Sequence, residues 1–239
     1  MNKLLPITIF SLLFIIGCEN FFGDRNESGD PYAYDMLLYD LEQDLALSSK
    51  YIESDPRWPG RRTDYLKSID ETLFHYVGNK LFNIFSTSSP DYWNIKMHFQ
   101  KIYPFSEDKW DRRNRGWVHY DSNELFGGII YLTKNPDPDT GTSIYKTKNG
   151  LYNYTNQQHS MKIKLYNGDD LDIDEYNKHY DEYHNQFVET VKVDNVYNRL
   201  LLFGGDVLHG VRTFGLEERI TISFFCNTVQ NYTNPLMRY

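Results

Sequence analysis

Residues 116–121 form an apolar and aromatic run that carries a His-x-Asp pattern, with His119 and Asp121 two positions apart. In an extended strand, side chains two positions apart project from the same face. We therefore expect the His119 imidazole and the Asp121 carboxylate to point at one position. These are two of the three ligands of a 2-His-1-carboxylate site, which leaves coordination positions open on a non-haem Fe(II). On the pattern alone, the competing interpretation is a pair that meets solvent at a strand edge.

A second group of residues lies near the other end of the sequence. Residues 198–203 are predicted to form a buried strand, and a Gly-Gly-Asp turn at 204–206 follows them. His209 comes shortly after this turn, and Arg219 lies ten positions further on, at the start of another apolar strand. A His after a buried strand and a turn, with an Arg at this spacing, is typical of the distal half of an oxygenase site.

In these elements and their order, the chain resembles the Fe(II)/2-oxoglutarate-dependent dioxygenases. Within them it resembles the prolyl-4-hydroxylase-like branch and its small uncharacterised phage and marine-bacterial members. The resemblance spans roughly residues 19–227 and is strongest in 116–145 and 196–225. It implies that His119, Asp121 and His209 bind Fe(II) and carry the catalysis. It also implies that Arg219 pairs with the far carboxylate of 2-oxoglutarate, a role that suits its planar and permanently charged guanidinium.

The resemblance implies a mainly β (α+β) fold, with a double-stranded β-helix (jelly-roll) core and supporting N-terminal helices. The implied activity is hydroxylation with Fe(II), O2 and 2-oxoglutarate as cosubstrate, stimulated by ascorbate and releasing succinate and CO2. The expected partner is an unknown protein, modified at a side chain, or a small-molecule substrate. Two alternatives remain open: a non-catalytic jelly-roll binding module, and a surface lipoprotein whose His-x-Asp pattern is incidental.

Residues 126–132 are predicted to form a buried strand, 135–141 a turn and 142–145 a return strand. This hairpin resembles the element of the same family that lines the oxoglutarate pocket. Tyr131 projects from it and is predicted to donate a hydrogen bond to the cosubstrate. Ordinary core packing is an equal alternative for Tyr131.

The length of 239 residues suits one large domain, which we place at 19–239 with an insertion at about 146–195. The insertion is expected to act as a lid or substrate selector. The net charge of −8 argues against a protein that coats nucleic acid, and no nucleic-acid partner is expected.

Residues 1–18 have two competing interpretations. Lys3 precedes a short apolar run that ends in a lipobox-like Ile-Ile-Gly-Cys at Cys18, which is typical of a lipoprotein signal. Alternatively, residues 5–10 form an opening β-strand. Because 2-oxoglutarate and Fe(II) are cytosolic resources, we favour a cytoplasmic protein, with a membrane anchor through Cys18 as the alternative. Cys18 and Cys226 provide no disulfide framework.

Four further segments have readable patterns. Apolar spacing predicts helices at 35–47 and 69–85, and loose alternation predicts a strand at 94–104. Residues 149–168 are polar and turn-rich, and 172–191 are predicted to form an acidic helix whose His179 and His184 lie at the surface. The basic loop at 57–63 is expected to be a rigid turn with its arginines against solvent or neighbouring acids. A rim that faces the substrate is the alternative.

Overall fold

The computed structural model describes residues 13–16, 45–52, 55–85, 90–121 and 123–230. Its strands are β1 (Leu13–Ile16), β2 (Arg61–Arg62), β3 (Tyr92–Ile102), β4 (Phe126–Tyr131), β5 (Thr142–Thr147), β6 (Phe187–Val193), β7 (Leu200–Gly204), β8 (His209–Val211) and β9 (Arg219–Gln230). Its helices are α1 (Leu66–Ile69), α2 (Glu71–Phe85), α3 (Asn156–Asn167) and α4 (Ile173–His184), with a 3-10 turn at Arg112–Asn114 and further helical residues at 45–48.

Two antiparallel sheets form the framework of the fold. The larger sheet has the strand order β1-β7-β4-β9-β3-β2, and the smaller sheet has the order β6-β5-β8. An antiparallel bridge between His119 and His209 places the His-x-Asp segment beside β8, at the border of the smaller sheet. Along the chain, β7, β8 and β9 alternate between the two sheets, which is the crossing pattern of a jelly roll. The predicted mainly β (α+β) jelly-roll fold is confirmed.

Helix α2 packs on one face of the larger sheet. Leu73, Val77 and Leu81 recur every four residues along it and are buried, because this spacing places them on one side of the helix. Each such side chain stabilises the fold by about 1.5–3 kcal/mol. The same core contains alternate residues of β3 and β9: Ile95, Met97, Phe99, Ile220, Ile222 and Phe224. The residues between them project from the opposite face of the sheet.

The local patterns predicted these packed elements correctly. The helix expected at 69–85 corresponds to α2, which begins two residues later and ends at the same residue, and the strand expected at 94–104 corresponds to β3, which begins and ends two residues earlier. Of the helix expected at 35–47, only 45–47 lie within the described residues, and these are helical. Cys226 is fully buried within β9.

The hairpin predicted from 126–132 and 142–145 is wrong. The first strand, β4, pairs with β7 and β9 in the larger sheet, while β5 pairs with β6 and β8 in the smaller sheet. The connection at 132–141 therefore crosses from one sheet to the other. Strand pairing depends on residues distant in the sequence, so nothing in the local sequence of the two strands distinguishes a hairpin from a crossing.

The segment 146–195 contains two helices and a strand. Helix α3, absent from our prediction for 149–168, begins at a capping box in which Thr155 and Gln158 bond each other's backbone N–H groups at 3.2 and 2.9 Å. The acidic helix predicted at 172–191 is correct only for α4. From Phe187 onward the chain forms β6, because pairing with β5 overrides the helical pattern. That the segment is an insertion stays a prediction.

The two histidines of α4 differ in their surroundings. His179 lies beside the carboxylates of Glu175 and Glu182, at 3.8 and 3.5 Å. His184 is not a surface residue as predicted: it stacks on Tyr180 with 3.8 Å between ring centroids, and burial lowers its pKa to about 3. A separation of five residues turns two side chains to different sides of a helix, which explains the difference.

A buried tyrosine cluster holds α4 against the His-x-Asp segment. The rings of Tyr176, Tyr180 and Tyr183 lie 6.1, 5.4 and 5.3 Å from that of Trp117. All three tyrosines are buried. The Tyr183 hydroxyl donates to the carbonyl oxygen of Val118 at 2.7 Å. The backbone that precedes His119 is thereby fixed from the side opposite its sheet partner.

This cluster predicts a loss of stability at alkaline pH. Burial raises the pKa of Tyr176, Tyr180 and Tyr183 above the usual value, which is about 10 in an unfolded chain. Below about pH 10 the phenols are neutral in both states. Above it, the unfolded chain loses protons that the folded chain keeps, so the free energy of unfolding falls by about 1.4 kcal/mol per pH unit for each tyrosine.

Urea unfolding between pH 8 and pH 11.5 would measure this effect. The Tyr180→Phe variant should show a slope that is shallower by about 1.4 kcal/mol per pH unit above pH 10. Identical slopes in the variant and the wild type would contradict the assignment of buried, neutral phenols.

Strand β1 lies at the edge of the larger sheet, where Leu13 to Ile16 pair with Phe203 to Leu200 of β7. The strand predicted at 5–10 and the lipobox residue Cys18 lie outside the described residues. In the part of the chain that the structure describes, no helix is both long and apolar enough to cross a membrane.

Deletion of residues 1–18 tests the two interpretations of this segment. If the segment belongs to the domain, the deletion removes β1 from β7 and should lower the free energy of unfolding, because apolar area is lost from the sheet. If it is a signal, the shortened protein should unfold at the same urea concentration as the full chain. In that case the full chain should also appear in the membrane fraction with lipid on Cys18.

Candidate metal centre

His119 and His209 are brought together by the backbone. The His119 N–H donates to the His209 carbonyl oxygen at 2.9 Å, and the His209 N–H donates to the His119 carbonyl oxygen at 2.8 Å. Two residues that exchange both bonds are a directly opposed antiparallel pair, with their side chains on the same face. Residues ninety positions apart in the sequence are thereby placed side by side.

Asp121 is placed by a close approach of two turns. The Asp121 backbone N–H donates to the carbonyl oxygen of Gly205 at 2.9 Å. The turn that follows Asp121 is closed by a bond from the Glu124 N–H to the Asp121 carbonyl oxygen at 3.0 Å. A Cβ atom on residue 205 would overlap the carbonyl oxygen of Glu124. Only glycine permits this approach, so the Gly-Gly-Asp turn noted in the sequence helps to position the carboxylate.

The three predicted ligands converge. One ligand atom from each of His119, Asp121 and His209 lies within 4.8 Å of the other two, and the His209 Nε2 lies 3.8 Å from the Asp121 Oδ2. The Nδ1 atoms of the two histidines lie 2.8 and 2.9 Å from the carbonyl oxygens of Trp117 and Val207. Because a carbonyl accepts, each Nδ1 carries the proton, and each Nε2 keeps a lone pair for a metal.

The electrostatic surroundings keep both imidazoles neutral. His119 is partly exposed where it lines the cavity, but desolvation by the surrounding protein lowers its pKa well below the usual range, and His209 acts in the same direction. Burial also lowers the pKa of His209, which the nearby Asp121 opposes. A neutral imidazole is the form that binds metal ions.

The residues present fit a divalent cation. The Oδ2 of Asp121 is buried and has no hydrogen-bond partner among the described residues. Burial raises the pKa of this carboxyl group, while His209 and Arg62 oppose the rise. A buried carboxylate oxygen without a partner is costly, and a cation beside the two Nε2 lone pairs would satisfy it. Two imidazoles and one carboxylate suit Fe(II) with open positions. The role of the three residues as ligands stays a prediction.

A cavity of about 600 Å³ opens beside the triad. Its lining includes all three triad residues and, at another part of the wall, Arg219 and Thr142. The floor is formed by the face of the larger sheet that turns away from α2. Side chains of β3 and β9 that alternate with the core residues, such as His98 and Ser223, therefore line it.

Arg219 is a buried cation with incomplete partners. Its side chain is 3% exposed, and its Nε donates to the carbonyl oxygen of Thr140 at 3.0 Å. One terminal nitrogen is buried without a hydrogen-bond partner, and no carboxylate of the described residues forms an ion pair with the guanidinium. Burial lowers the pKa of Arg219. Glu218, the carboxylate next to Arg219 in the sequence, lies 3.6 Å from the Lys101 Nζ instead.

Tyr131 lies behind this arginine. Its hydroxyl donates to the Thr142 Oγ1 at 3.0 Å, and its ring centroid is 5.4 Å from the Arg219 guanidinium carbon. The side chain is fully buried. It thus contacts two residues that line the cavity, and its predicted hydrogen bond to a cosubstrate stays a prediction.

Two cationic residues of the cavity were missed or misplaced by the sequence interpretation. In the basic loop, Arg57 forms an ion pair with Asp55, as expected, but Arg62 turns into the cavity. Lys162 also lines the cavity from α3, a helix that the sequence patterns did not reveal. The Trp-Pro-Gly-Arg-Arg run was the signal for Arg62, and the Thr155 capping box was the signal for α3.

Comparisons with known proteins give one family and a set of similar folds. The profile of a family described as a family of unknown function (DUF6445) matches residues 33–212, which is more than half of the chain. No curated protein matches the sequence. HygX from Streptomyces hygroscopicus, solved with nickel and 2-oxoglutarate bound, has a TM-score of 0.52 and 12% identity, with 93% of this chain and 84% of that chain covered.

Two further solved structures are similar at lower scores. A prolyl hydroxylase from Trichoplax adhaerens, in complex with a hypoxia inducible factor peptide fragment, has a TM-score of 0.48 and 16% identity over 90% of this chain and 82% of that one. A 2OG-Fe(II) oxygenase family protein from Burkholderia pseudomallei has a TM-score of 0.44 and 12% identity over 81% and 78%. At these identities the likeness to HygX establishes the fold alone. The chain belongs to the DUF6445 family and has the jelly-roll fold of the 2-oxoglutarate–Fe(II) oxygenases.

Proposed function

We propose that this protein is an Fe(II)- and 2-oxoglutarate-dependent oxygenase that hydroxylates its substrate and releases succinate and CO2. One observation carries the proposal: the triad of His119, Asp121 and His209 shares a cavity with Arg219, a buried cation that has no anionic partner among the described residues. A metal site alone would fit many functions. A metal site together with an isolated arginine fits a ligand that chelates the ion and carries a second carboxylate.

The triad would hold Fe(II) from one side. The three ligand atoms are supplied by the His-x-Asp segment and β8, so the remaining coordination positions face the cavity. The bound ion would supply the activation of O2 that is coupled to the oxidation of 2-oxoglutarate. The protein's own part is to present two neutral imidazoles and one carboxylate in a fixed arrangement, which the backbone pairing of His119 with His209 achieves.

Arg219 would bind the far carboxylate of 2-oxoglutarate. Its bond to Thr140 fixes the Nε side of the guanidinium and leaves a terminal nitrogen free to donate. In a buried site, a charge-assisted hydrogen bond is stronger than at a surface because less water competes for it. The Thr142 hydroxyl, which accepts a hydrogen bond from the Tyr131 hydroxyl, is a second polar group on the cavity wall.

The supporting structure favours an enzyme over a binding module without turnover. The tyrosine cluster, the Gly205 turn and the His119–His209 pair all restrict the positions of the triad atoms. Such positioning of a metal site is what catalysis requires. We also propose a cytoplasmic location, where 2-oxoglutarate and Fe(II) are available.

Two measurements on purified protein test the proposed function. Calorimetry under anaerobic conditions should show one 2-oxoglutarate bound per chain to the Fe(II)-loaded protein and much weaker binding without metal. With air and ascorbate, succinate should then form slowly even without a substrate, in proportion to bound iron. Absence of 2-oxoglutarate binding in protein that holds one Fe(II) per chain would contradict the proposal.

A further inference from the structure

Arg62 is a second cation of the cavity that forms no ion pair with any described residue, although Asp121 and Asp55 are near enough to act on its charge. Its guanidinium carbon lies 4.2 Å from the centroid of Trp58 and 5.2 Å from that of Phe225. Its Nε is buried and has no hydrogen-bond partner, and no carboxylate of the described residues lies within ion-pair distance. The two aromatic rings orient the guanidinium but do not neutralise its charge.

Lys162 is a third such cation and comes from a different part of the fold. It lines the same cavity from α3, whose Met161 and Leu165 pack in one core with Trp117. Its Nζ lies 5.8 Å from the ring centroid of Tyr166, and it forms no ion pair with any described residue. Burial lowers the pKa of Lys162. The positive charges of Lys162 and Arg62 both act on His119, so both lie near the triad.

Besides these three cations and the histidines, the charged residues of the lining are two cations, Arg57 and Lys96, and two carboxylates, Asp121 and Glu124. Arg57 is paired with Asp55. Lys96 opposes the rise that burial causes in the pKa of the Glu124 carboxyl group, but the Glu124 Oε2 has no hydrogen-bond partner among the described residues. Asp121 is the carboxylate of the triad. The cavity therefore keeps an excess of positive charge, carried by Arg62, Lys162 and Arg219, in a chain whose net charge is −8.

Arg62 and Arg219 belong to separate parts of the cavity. Arg62 lies over Phe225 of β9. Phe225 is six residues from Arg219 on the same strand, a distance of about 20 Å along the strand. Gly127 lies beside both Asp121 and Phe225. A Cβ atom at this position would be 3.0 Å from the Asp121 Oδ2 and 3.6 Å from the Phe225 Cδ1. Asp121 and Phe225 thus flank one position. Arg62 is beside the metal centre, at a distance from the arginine assigned to 2-oxoglutarate.

We propose that the substrate is a small anionic molecule whose carboxylate or phosphate group is bound by Arg62 and Lys162, with the carbon to be hydroxylated held beside the triad. This inference rests on the proposed function and adds a substrate class to it. Buried cations without an ion-pair partner are costly in the free protein, and an anion bound near His119, on which both positive charges act, would offset that cost. The guanidinium fork matches the oxygens of a carboxylate or a phosphate. The cavity volume of about 600 Å³ lies within the range of small-molecule sites.

The test uses full-length protein loaded with Mn(II) and 2-oxoglutarate, under conditions where oxygenation does not occur. Inorganic phosphate and acetate are titrated separately by calorimetry. We expect saturable binding of at least one of them, and the tighter ligand identifies the group as phosphate or carboxylate. Arg62→Gln and Lys162→Gln should each weaken that binding by about tenfold or more, while Arg62→Lys should give an intermediate loss because the charge remains and the fork is lost.

Neighbouring cations provide matched controls. Arg61 lies beside Arg62 on β2 and Lys164 lies two positions from Lys162 on α3, and both are exposed. Arg61→Gln and Lys164→Gln should change anion binding by less than about twofold. Equal losses in the control and cavity variants, or no saturable binding in the wild type, would overturn the proposal. Tighter binding of a short glutamate-rich peptide than of either small anion would overturn the small-molecule assignment.

The outcome is distinguishable from a failure of the proposed function. Binding of 2-oxoglutarate to the Mn(II) protein is measured first and depends on Arg219. If 2-oxoglutarate binds and the small anions do not, the oxygenase proposal stands and the anionic substrate is wrong. If 2-oxoglutarate does not bind, the oxygenase proposal fails, and the anion site is then tested on the metal-loaded protein alone with the same variants.

Discussion

The Asp121→Ala variant is expected to lose stoichiometric Fe(II) binding and, with it, all conversion of 2-oxoglutarate. Asp121 supplies the carboxylate of the triad, and its Oδ2 has no other partner among the described residues. Loss of a supporting residue around a metal typically weakens binding by 10- to 100-fold, and we expect more than about 100-fold for a direct ligand. Metal analysis after gel filtration should show less than a tenth of an Fe(II) per chain.

The folded state itself should tolerate this change. Removal of a buried carboxylate without a hydrogen-bond partner relieves a desolvation cost, so the metal-free variant should be at least as stable as the metal-free wild type. Metal at 100 times its dissociation constant stabilises a protein by about 2.7 kcal/mol. The wild type should show such a gain with Fe(II), and Asp121→Ala should show none.

His179→Ala serves as the matched control for metal binding. His179 is a histidine of α4 that lies beside Glu175 and Glu182 and does not line the cavity. Its replacement should leave the iron content unchanged. Equal loss of iron in both variants, or in neither, would remove the assignment of the triad.

The Arg219→Met variant is expected to lose 2-oxoglutarate binding while it keeps its iron. Methionine fills much of the space of the arginine stem but offers no donor to a carboxylate. Removal of one partner from a buried charge pair costs about 2–5 kcal/mol, or roughly 30-fold to 5000-fold in affinity. Because the triad is untouched, Fe(II) binding should be unchanged. Calorimetry of the anaerobic Fe(II) protein with 2-oxoglutarate measures the effect directly.

Two further variants give this experiment its controls. Arg219→Lys keeps the charge but loses the planar fork, so it should raise the apparent constant for 2-oxoglutarate with a modest loss of turnover. Arg112→Met removes an exposed arginine that pairs with Asp181 and should leave 2-oxoglutarate binding as it is. If Arg219→Met binds 2-oxoglutarate as well as the wild type does, the cosubstrate pocket has been placed wrongly.

Local sequence patterns were sufficient for the residues of the candidate centre but not for their arrangement. The His-x-Asp spacing, the turn before His209 and the position of Arg219 each follow from a few neighbouring residues. That His119 lies opposite His209 depends on pairing between strands that are distant in the sequence. Register of this kind is set by the whole sheet and the turns that close it, so it is not encoded in either segment alone.

The errors have the same physical origin. The stretches that form β4 and β5 carry no local signal for the sheet that each joins, and pairing with β5 converts the end of a predicted helix into β6. The arginines of the 57–63 loop were expected to meet solvent or neighbouring acids, with a rim that faces the substrate as the alternative, and an arginine is rarely buried without a partner. The burial of Arg62 between Trp58 and Phe225 depends on the meeting of β2, β3 and β9. Departures from such averages are expected at functional sites.

The reciprocal hydrogen bonds between the backbones of His119 and His209 also influence which metal ion the protein contains after isolation. Folding of the sheet presents the two imidazoles before an ion arrives, so the same arrangement is offered to every divalent ion. Affinities at such a site follow the Irving–Williams order, in which nickel, copper and zinc bind more tightly than iron. A preparation exposed to these ions would be correctly folded and inert, and its metal content would record the supply of ions during expression and purification.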